Sequence, residues 1–128
     1  MNAPSQDIKD ILVADGIGTF GTDLFVSKQP STPDAVVTVY DTGGFAPEGT
    51  TSDHYPTVQV LIRGDQNSYR TTYTKAENVR DSLHRLHDET WNSTKYIAIW
   101  AMSDIIFVGY DENERPEFSI NFRMHRRA

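Results

Sequence analysis

The chain has 128 residues, a length typical of one domain with its own core, and we predict a single domain over residues 1–128. Its 12 Lys and Arg residues against 18 Asp and Glu residues give a formal net charge of −6, which argues against a general binder of nucleic-acid phosphates. The absence of cysteine excludes disulfide bonds, thiolate metal sites and cysteine nucleophiles. We recognise neither a signal peptide nor an apolar run long enough to span a bilayer, and expect a soluble protein assembled in the cytosol.

The first part of the chain predicts one helix followed by two strands. Apolar residues recur at helical spacing ahead of a glycine, which predicts a short amphipathic helix over residues 5–15 with Ser5 as its N-cap. Residues 22–27 predict a strand that a proline-containing turn ends. Residues 35–40 are β-branched and apolar on both sides, which is typical of a central strand.

A long segment without periodicity follows at residues 41–54, and we predict it to be irregular. Loops of this length inside a domain are uncommon and are usually functional or disordered. This one contains Phe45 and is flanked by Tyr40 and Tyr55, and aromatic side chains are enriched at protein interfaces. Alternation then predicts a half-buried strand over residues 57–63.

The second half predicts one long helix and three strands. A capping box at residues 74–77 starts the helix, and apolar spacing continues it to about Asp88. A β-meander follows, with a tight turn at Ser103-Asp104 after its first strand, and its strands cover residues 95–102, 105–110 and 117–125. The order α-β-β-β-α-β-β-β indicates an α+β fold with a mainly antiparallel sheet packed by one long and one short helix.

Few side chains suggest chemistry. His84 and His87 lie three residues apart on the predicted helix, but a metal site needs further ligands that the sequence does not supply. No serine stands between Gly43 and Gly44, and no glycine cluster completes a dinucleotide or phosphate-loop motif. We therefore predict that the chain is not an enzyme and has no catalytic residue, no cofactor and no metal.

The carboxyl end concentrates positive charge. Arg123, Arg126 and Arg127 are three of the 12 cationic residues, and they leave a strongly acidic remainder. Two interpretations remain open: a solubilising frayed end, or a contact with an acidic surface of a neighbouring subunit. A nucleic-acid contact would depend on only these three charges.

Two motifs resemble a known family. Residues 40–44 read YDTGG at the end of an apolar strand, and after a proline-containing spacer residues 55–64 read YPTVQVLIRG, before an aromatic residue and an amphipathic helix. This pattern, over about residues 35–90, resembles the small minor capsid proteins of tailed bacteriophages, which are regarded as tail terminators. The acidic residues Glu48 and Asp53 and the basic carboxyl end are not part of that pattern.

The resemblance implies a structural virion protein with a fold like those of tail terminators and tail-tube proteins. Such a protein forms a ring, expected to be a homohexamer, that caps the head-proximal end of the tail tube, stops its polymerisation and joins tail to head. The implied partners are further copies of the chain, the tail tube protein and a head–tail connector or neck protein, without a membrane. DNA would pass through the ring without sequence-specific binding, and an acidic lumen would repel its phosphates. Assembly would take place in the host cytoplasm.

The resemblance and the aromatic residues together nominate a set of contact residues for the subunit or partner interface. The two glycines of the YDTGG turn also permit backbone angles that side chains forbid, so a purely conformational role stays open for that turn. Arg63, on the polar side of its strand, is the candidate for an intersubunit ion pair. The full set is Asp41, Thr42, Gly43, Gly44, Phe45, Pro47, Tyr55, Pro56, Arg63, Arg123, Arg126 and Arg127.

Three alternatives compete with this interpretation. A head-completion or neck protein would form a ring around the same channel, and only its partners would distinguish it. A small cytosolic enzyme or ligand-binding domain predicts a deep pocket with convergent polar groups in the monomer. A nucleic-acid-binding regulator predicts salt-sensitive binding through the carboxyl-terminal arginines.

Overall fold

Two helices pack on one face of a seven-stranded sheet in the computed structural model, which describes residues 1–128. In chain order the elements are α1 (Pro4–Ala14), β1 (Leu24–Val26), β2 (Val36–Phe45), β3 (Asp53–Arg63), α2 (Tyr69–Leu83), β4 (Leu86–Trp91), β5 (Thr94–Ala101), β6 (Ile106–Tyr110) and β7 (Pro116–Arg127). The strand order is β1-β2-β3-β7-β5-β4, with β6 also paired to β7. The sheet is mixed, because β1 pairs parallel to β2 while the other ladders are antiparallel. The α+β class is thus confirmed. Neither helix has the length and apolarity needed to cross a bilayer.

The core lies between the helices and the inner face of the sheet. In β7 every second residue points inward, and the partner residues of β3 meet them in register, for example Val60 opposite Ile120 and Ile62 opposite Phe118. Both helices add a stripe of buried apolar residues to the same cluster. The one-sided alternation predicted for these two strands is therefore confirmed. The buried inward residues of β7 are Phe118, Ile120, Phe122 and Met124.

Helix α1 ends as predicted and begins differently. Gly16, at φ +75°, follows the helix, and its N–H and that of Ile17 bond to the carbonyls of Val13 (3.1 Å) and Leu12 (2.9 Å) in a Schellman arrangement. The prediction of Ser5 as N-cap is wrong, because Pro4 occupies the first turn and Ser5 lies inside the helix.

The segment predicted to be irregular is mostly a β-hairpin. Strand β2 continues to Phe45 and β3 starts at Asp53, so only residues 46–52 connect them. The two strands stay paired, apart from one bulge, as far as Phe45, which lies opposite Tyr55. The glycines at 43 and 44 were loop signals in the sequence, but here they form a bulge within the ladder.

Helix α2 starts one turn earlier and ends one turn earlier than predicted. Its N-cap is Ser68, and the predicted capping box is wrong because Thr74 lies inside the helix, with its hydroxyl bonded to the carbonyl of Arg70 at 3.2 Å. Arg85, at φ +72°, turns the chain after the helix. The residues predicted as its last turn instead begin strand β4, where Leu86 lies opposite Ile99.

The predicted meander is wrong in its direction. Strands β5 and β6 both pair antiparallel to β7, so they run the same way and Ser103-Asp104 does not reverse the chain. The reversal lies earlier, between β4 and β5, where Asn92 (φ +51°) and Ser93 (φ +66°) form a two-residue hairpin turn. Left-handed angles at both central residues are those of a type I′ turn, whose twist matches that of the strands it joins.

Candidate functional site

The base of the β2–β3 hairpin is fixed to α1. The two carboxylate oxygens of Asp41 accept hydrogen bonds from the backbone N–H (2.9 Å) and the hydroxyl (2.7 Å) of Ser5. An acceptor at the first turn of a helix satisfies a free N–H and complements the helix dipole. The hydroxyls of Thr42 and Thr57 lie 2.7 Å apart across the hairpin. The first two residues of the predicted contact set are thus engaged within their own chain.

Gly43 and Gly44 create the bulge above this base. Their φ angles are +87° and +125°, and the register between β2 and β3 shifts between Asp41 and Gly44. A Cβ at Gly44 would lie 2.4 Å from the carbonyl oxygen of Tyr55 and 2.6 Å from the Cα of Pro56, whereas one at Gly43 would meet open space. Glycine is therefore favoured at position 44 for two reasons, its positive φ angle and the close approach of the β3 backbone. At position 43 only the positive φ angle favours glycine.

We expect a graded loss of stability from alanine at the three hairpin glycines. Gly49→Ala has neither a positive φ nor a neighbour within 4 Å, so it serves as the matched control. Gly43→Ala is expected to cost about 1 kcal/mol for its left-handed angle, and Gly44→Ala about 2 kcal/mol or more because backbone must also move. Urea unfolding of the three variants measures the series. Equal losses at Gly43 and Gly44 would contradict the close-approach argument.

The tip of the hairpin carries the exposed members of the predicted contact set. Phe45 is 57% exposed, and Pro47 and Glu48 are exposed beside it. Tyr55 and Pro56, on the returning strand, are half-buried, and the ring of Tyr55 packs 4.8 Å from that of His125. Phe45 is thus the large apolar side chain that this hairpin presents to solvent.

The carboxyl end is strand β7, so the interpretation as a frayed end is wrong. The guanidinium of Arg123 lies 4.4 Å from the centre of the Trp100 ring, a cation–π contact on the outer face of the sheet. The Arg127 Nε donates to Asp53 Oδ1 at 2.5 Å, and the His125 Nε2 lies 3.5 Å from the same oxygen.

Arg126 is buried inside the domain. It is 7% exposed, and its Nη1 donates to the carbonyl of Asn2 (2.9 Å) and to the hydroxyl of Tyr96 (3.3 Å), and lies 3.8 Å from Asp7 Oδ2. The Tyr96 hydroxyl in turn donates to Asp7 at 2.5 Å. Burial, and then this hydrogen bond, raise the pKa of Tyr96. Arg126 therefore joins the amino-terminal helix to the sheet and is unavailable to a partner.

Arg63 also acts within its own chain. It is 3% exposed, and its guanidinium donates to the carbonyls of Pro30 (2.7 Å), Pro33 (2.9 Å) and Asp34 (2.9 Å), which holds the loop between β1 and β2 against the sheet. Burial lowers the pKa of this arginine. We leave Arg63 and Arg126 out of the surface proposed below.

The Asp53–Arg127 pair predicts a pH dependence. The hydrogen bond from Arg127 is the main cause that lowers the pKa of Asp53 to about 2, against about 3.9 for an unperturbed aspartate. Because the folded pKa is the lower one, the pair stabilises the fold above about pH 4, and this contribution is lost as the pH falls towards 2. We expect Arg127→Ala to raise the pKa of Asp53 towards its unperturbed value.

Carboxylate ¹³C chemical shifts of Asp53, followed by NMR between about pH 1.5 and 6, measure this effect. Arg123→Ala removes a neighbouring arginine on the same strand that makes no bond to Asp53 and is the control. An unchanged Asp53 titration in Arg127→Ala would contradict the assignment.

The sequence did not reveal an apolar surface at the other end of β7. We call it the β6 patch and define it as Tyr69, Phe107 and Tyr110, which are 43–48% exposed; Ile106 and Val108 of β6 are exposed as well. The ring of Phe107 lies 5.1 Å from that of Tyr69 and 5.7 Å from that of Tyr110. The run of apolar residues from Ile105 to Tyr110 without a charge was the available signal.

The histidines and the cavities do not form a built site. His84 follows the helix, where its Nδ1 accepts the N–H of Ala101 at 2.9 Å, and His87 lies on β4, so the pair does not share a helix face. No three His, Asp or Glu side chains are grouped as metal ligands. A cavity of about 140 Å³ at the start of α2, lined by residues that include Arg63, Thr72 and Lys75, is smaller than typical ligand pockets. Two larger depressions along α2, of about 450 and 440 Å³, have one hydrophobic lining residue and none, whereas ligand pockets are mostly apolar.

Comparisons with known proteins identify the fold and the family. Among solved structures, a chain of the "Virion of native gene transfer agent (GTA) particle" has a TM-score of 0.76 at 14% identity, covering 98% of this chain and 96% of that chain. A second solved structure has a TM-score of 0.54 at 11% identity, covering 95% of this chain and 90% of that chain. No curated protein sequence matches significantly. A family model described as bacteriophage tail terminator protein matches residues 11–127. The chain therefore belongs to the bacteriophage tail terminator family, a family of structural proteins of the phage tail.

Proposed function

We propose that the chain forms a ring at the head-proximal end of the tail tube, stops polymerisation of the tube and joins tail to head. The observation that carries this proposal is the family match over residues 11–127. The tail tube protein on one side and a head–tail connector or neck protein on the other are the proposed partners, and the virion is the proposed location. Six copies is the expected number in the ring.

The surface of the domain supports a role in assembly. Two of its exposed apolar features, Phe45 at the hairpin tip and the β6 patch, are of the kind that mark contacts between proteins. The net charge of −6 supports passage of DNA through the ring without binding, because acidic side chains facing the channel repel phosphates.

The proposal is tested by removing the protein from the particles in which it occurs. Particles assembled without it are expected to contain tails of irregular, extended length that are not joined to heads, as seen by electron microscopy. Supplying the wild-type chain should restore one tail length and joined heads. Tails of normal length that lack heads would instead indicate the head-completion alternative, and normal joined particles would overturn both.

A further inference from the structure

Strand β6 is an edge whose outer side has no partner in its own chain. It pairs with β7 alone. The backbone of residues 106–110 makes no hydrogen bond to a loop, turn or helix cap. Half of the N–H and C=O groups of such a strand point away from its neighbour. Natural edges are usually protected by charges, proline or a covering segment. This edge reads Ile-Phe-Val-Gly-Tyr and has neither charge nor proline, and its protection is limited to its short length and to a bulge between Phe107 and Gly109.

The hairpin tip has matching properties. Phe45 is 57% exposed, and Glu48 makes no ion pair in its own chain. Beside the β6 patch, Arg70 follows Tyr69 in the first turn of α2, is exposed, and also makes no ion pair. The hairpin tip thus has one exposed aromatic ring beside an unpaired carboxylate. The β6 patch has a cluster of aromatic rings beside an unpaired guanidinium, so the two surfaces are complementary in charge.

The two surfaces cannot meet within one chain. The hairpin pairs with the carboxyl end of β7, where His54 lies opposite Arg126, and β6 pairs with its amino end, where Phe107 lies opposite Phe118. Eight residues of extended strand separate these positions by about 25 Å. Contacts between different surfaces of identical subunits are heterologous, and they close into a ring when the rotation between subunits permits.

We propose that the β6 patch receives the β2–β3 hairpin tip of a second copy of this chain, with Phe45 on the aromatic cluster and Glu48 facing Arg70. This inference rests on the proposed function in one respect, that copies of the chain contact one another in a ring. The inference goes beyond the proposed function by naming the two surfaces that form the contact between copies and the two charged residues that make this contact specific.

A charge swap tests the polar part of the contact. Glu48→Arg and Arg70→Glu are each expected to weaken self-association at least tenfold, because each places like charges opposite one another. The double variant should return to within about threefold of the wild type. Light scattering and sedimentation at several concentrations measure the association. Glu89→Arg with Arg85→Glu, on strand β4 and in the turn before it, is the matched control and should leave the association unchanged, because β4 pairs with β5 and belongs to neither surface.

Disulfide trapping tests the apolar part, since the chain has no cysteine of its own. Phe45→Cys with Tyr110→Cys, oxidised by dissolved oxygen with copper–phenanthroline, is expected to give a ladder of covalent multimers that stops at the number of copies in the ring. Each single variant can give only dimers. Phe45→Cys with Phe20→Cys pairs the hairpin with another aromatic residue of similar exposure, 54%, and should give no ladder.

The outcomes separate this inference from the proposed function. No ladder from the Phe45–Tyr110 pair, or single charge reversals without effect, overturns the inference. Rings that form without this contact, together with unjoined long tails in particles lacking the protein, leave the proposed function intact. A ladder and a rescued charge swap in a protein whose removal leaves normal joined tails support the contact and overturn the function.

Discussion

Replacing Asp7 with alanine is expected to lower the free energy of unfolding by about 3–5 kcal/mol, the usual cost of leaving a buried charge without its partner. Asp7 is fully buried and accepts hydrogen bonds from the Tyr96 hydroxyl at 2.5 Å and from the Asn92 Nδ2 at 2.7 Å. Its loss leaves Arg126, itself 7% exposed, without the carboxylate that lies 3.8 Å away. Urea unfolding monitored by circular dichroism measures the change.

The control for this prediction lies one turn further along the same helix. Asp10→Ala also removes an acceptor of Asn92 Nδ2, at 2.8 Å, together with an ion pair to Lys9, but its side chain is 34% exposed. Exposed pairs contribute little, so we expect a loss below about 1 kcal/mol. Similar losses for the two variants would show that Asp7 is not the centre of a buried network.

Phe118→Ala is the second large effect we expect, a loss of about 3–5 kcal/mol from a large cavity in the core. Phe118 is 1% exposed, on the central strand β7. Its ring lies 5.2 Å from that of Phe107 and 5.3 Å from that of Tyr69, so it also supports the β6 patch from below. We therefore expect the patch to lose its arrangement together with the stability.

The control is the same substitution, phenylalanine to alanine, at the exposed hairpin tip, which distinguishes the effect of burial from the effect of losing a phenylalanine ring. Phe45→Ala removes an identical ring that is 57% exposed and is expected to change stability by no more than about 0.5 kcal/mol. Chemical denaturation measures both variants, and near-ultraviolet circular dichroism reports the packing of the aromatic cluster. A small loss from Phe118→Ala would contradict its place in the core.

The sequence predicts best where one local pattern decides the structure. Alternation in β3 and β7 and helical spacing in α1 directly reflect which side of each element is buried, and these elements were predicted. The end of α2 was not, because the three-residue spacing from Leu83 to Leu86 fits a helix equally well. Its replacement by β4 depends on the distant pairing of Leu86 with Ile99.

The prediction of an irregular segment at residues 41–54 was wrong for a related reason. Gly43 and Gly44 indicate a loop when only neighbours are considered, whereas in the structure they allow β2 to approach Tyr55 and Pro56 closely. A bulge is recognisable only once the partner strand is known. The resemblance drew attention to this segment, but it did not indicate that the base of the hairpin is fixed to a helix.

The exposure of Arg63 and of the β6 patch could not be predicted from the sequence, whereas the burial of Arg126 could. Arg63 stands on the outer face of β3, but a loop folds over that face and its carbonyls enclose the guanidinium. Arg126 continues the inward alternation of Phe122 and Met124, so its burial was visible in the pattern of β7 itself. The β6 patch needs both β6 and α2 in place, and no single segment of sequence contains it.

The turn between β4 and β5 has a consequence for how the protein should be produced. Asn92-Ser93-Thr94 has the form of an acceptor site for N-linked glycans, which are added in secretory compartments. The amide of Asn92 uses both of its hydrogens to bond Asp7 and Asp10 of α1. A glycan on that nitrogen would leave a single hydrogen to bond them, so a bacterial cytosolic host, or removal of the sequon at Thr94, keeps the buried network complete in preparations from any source.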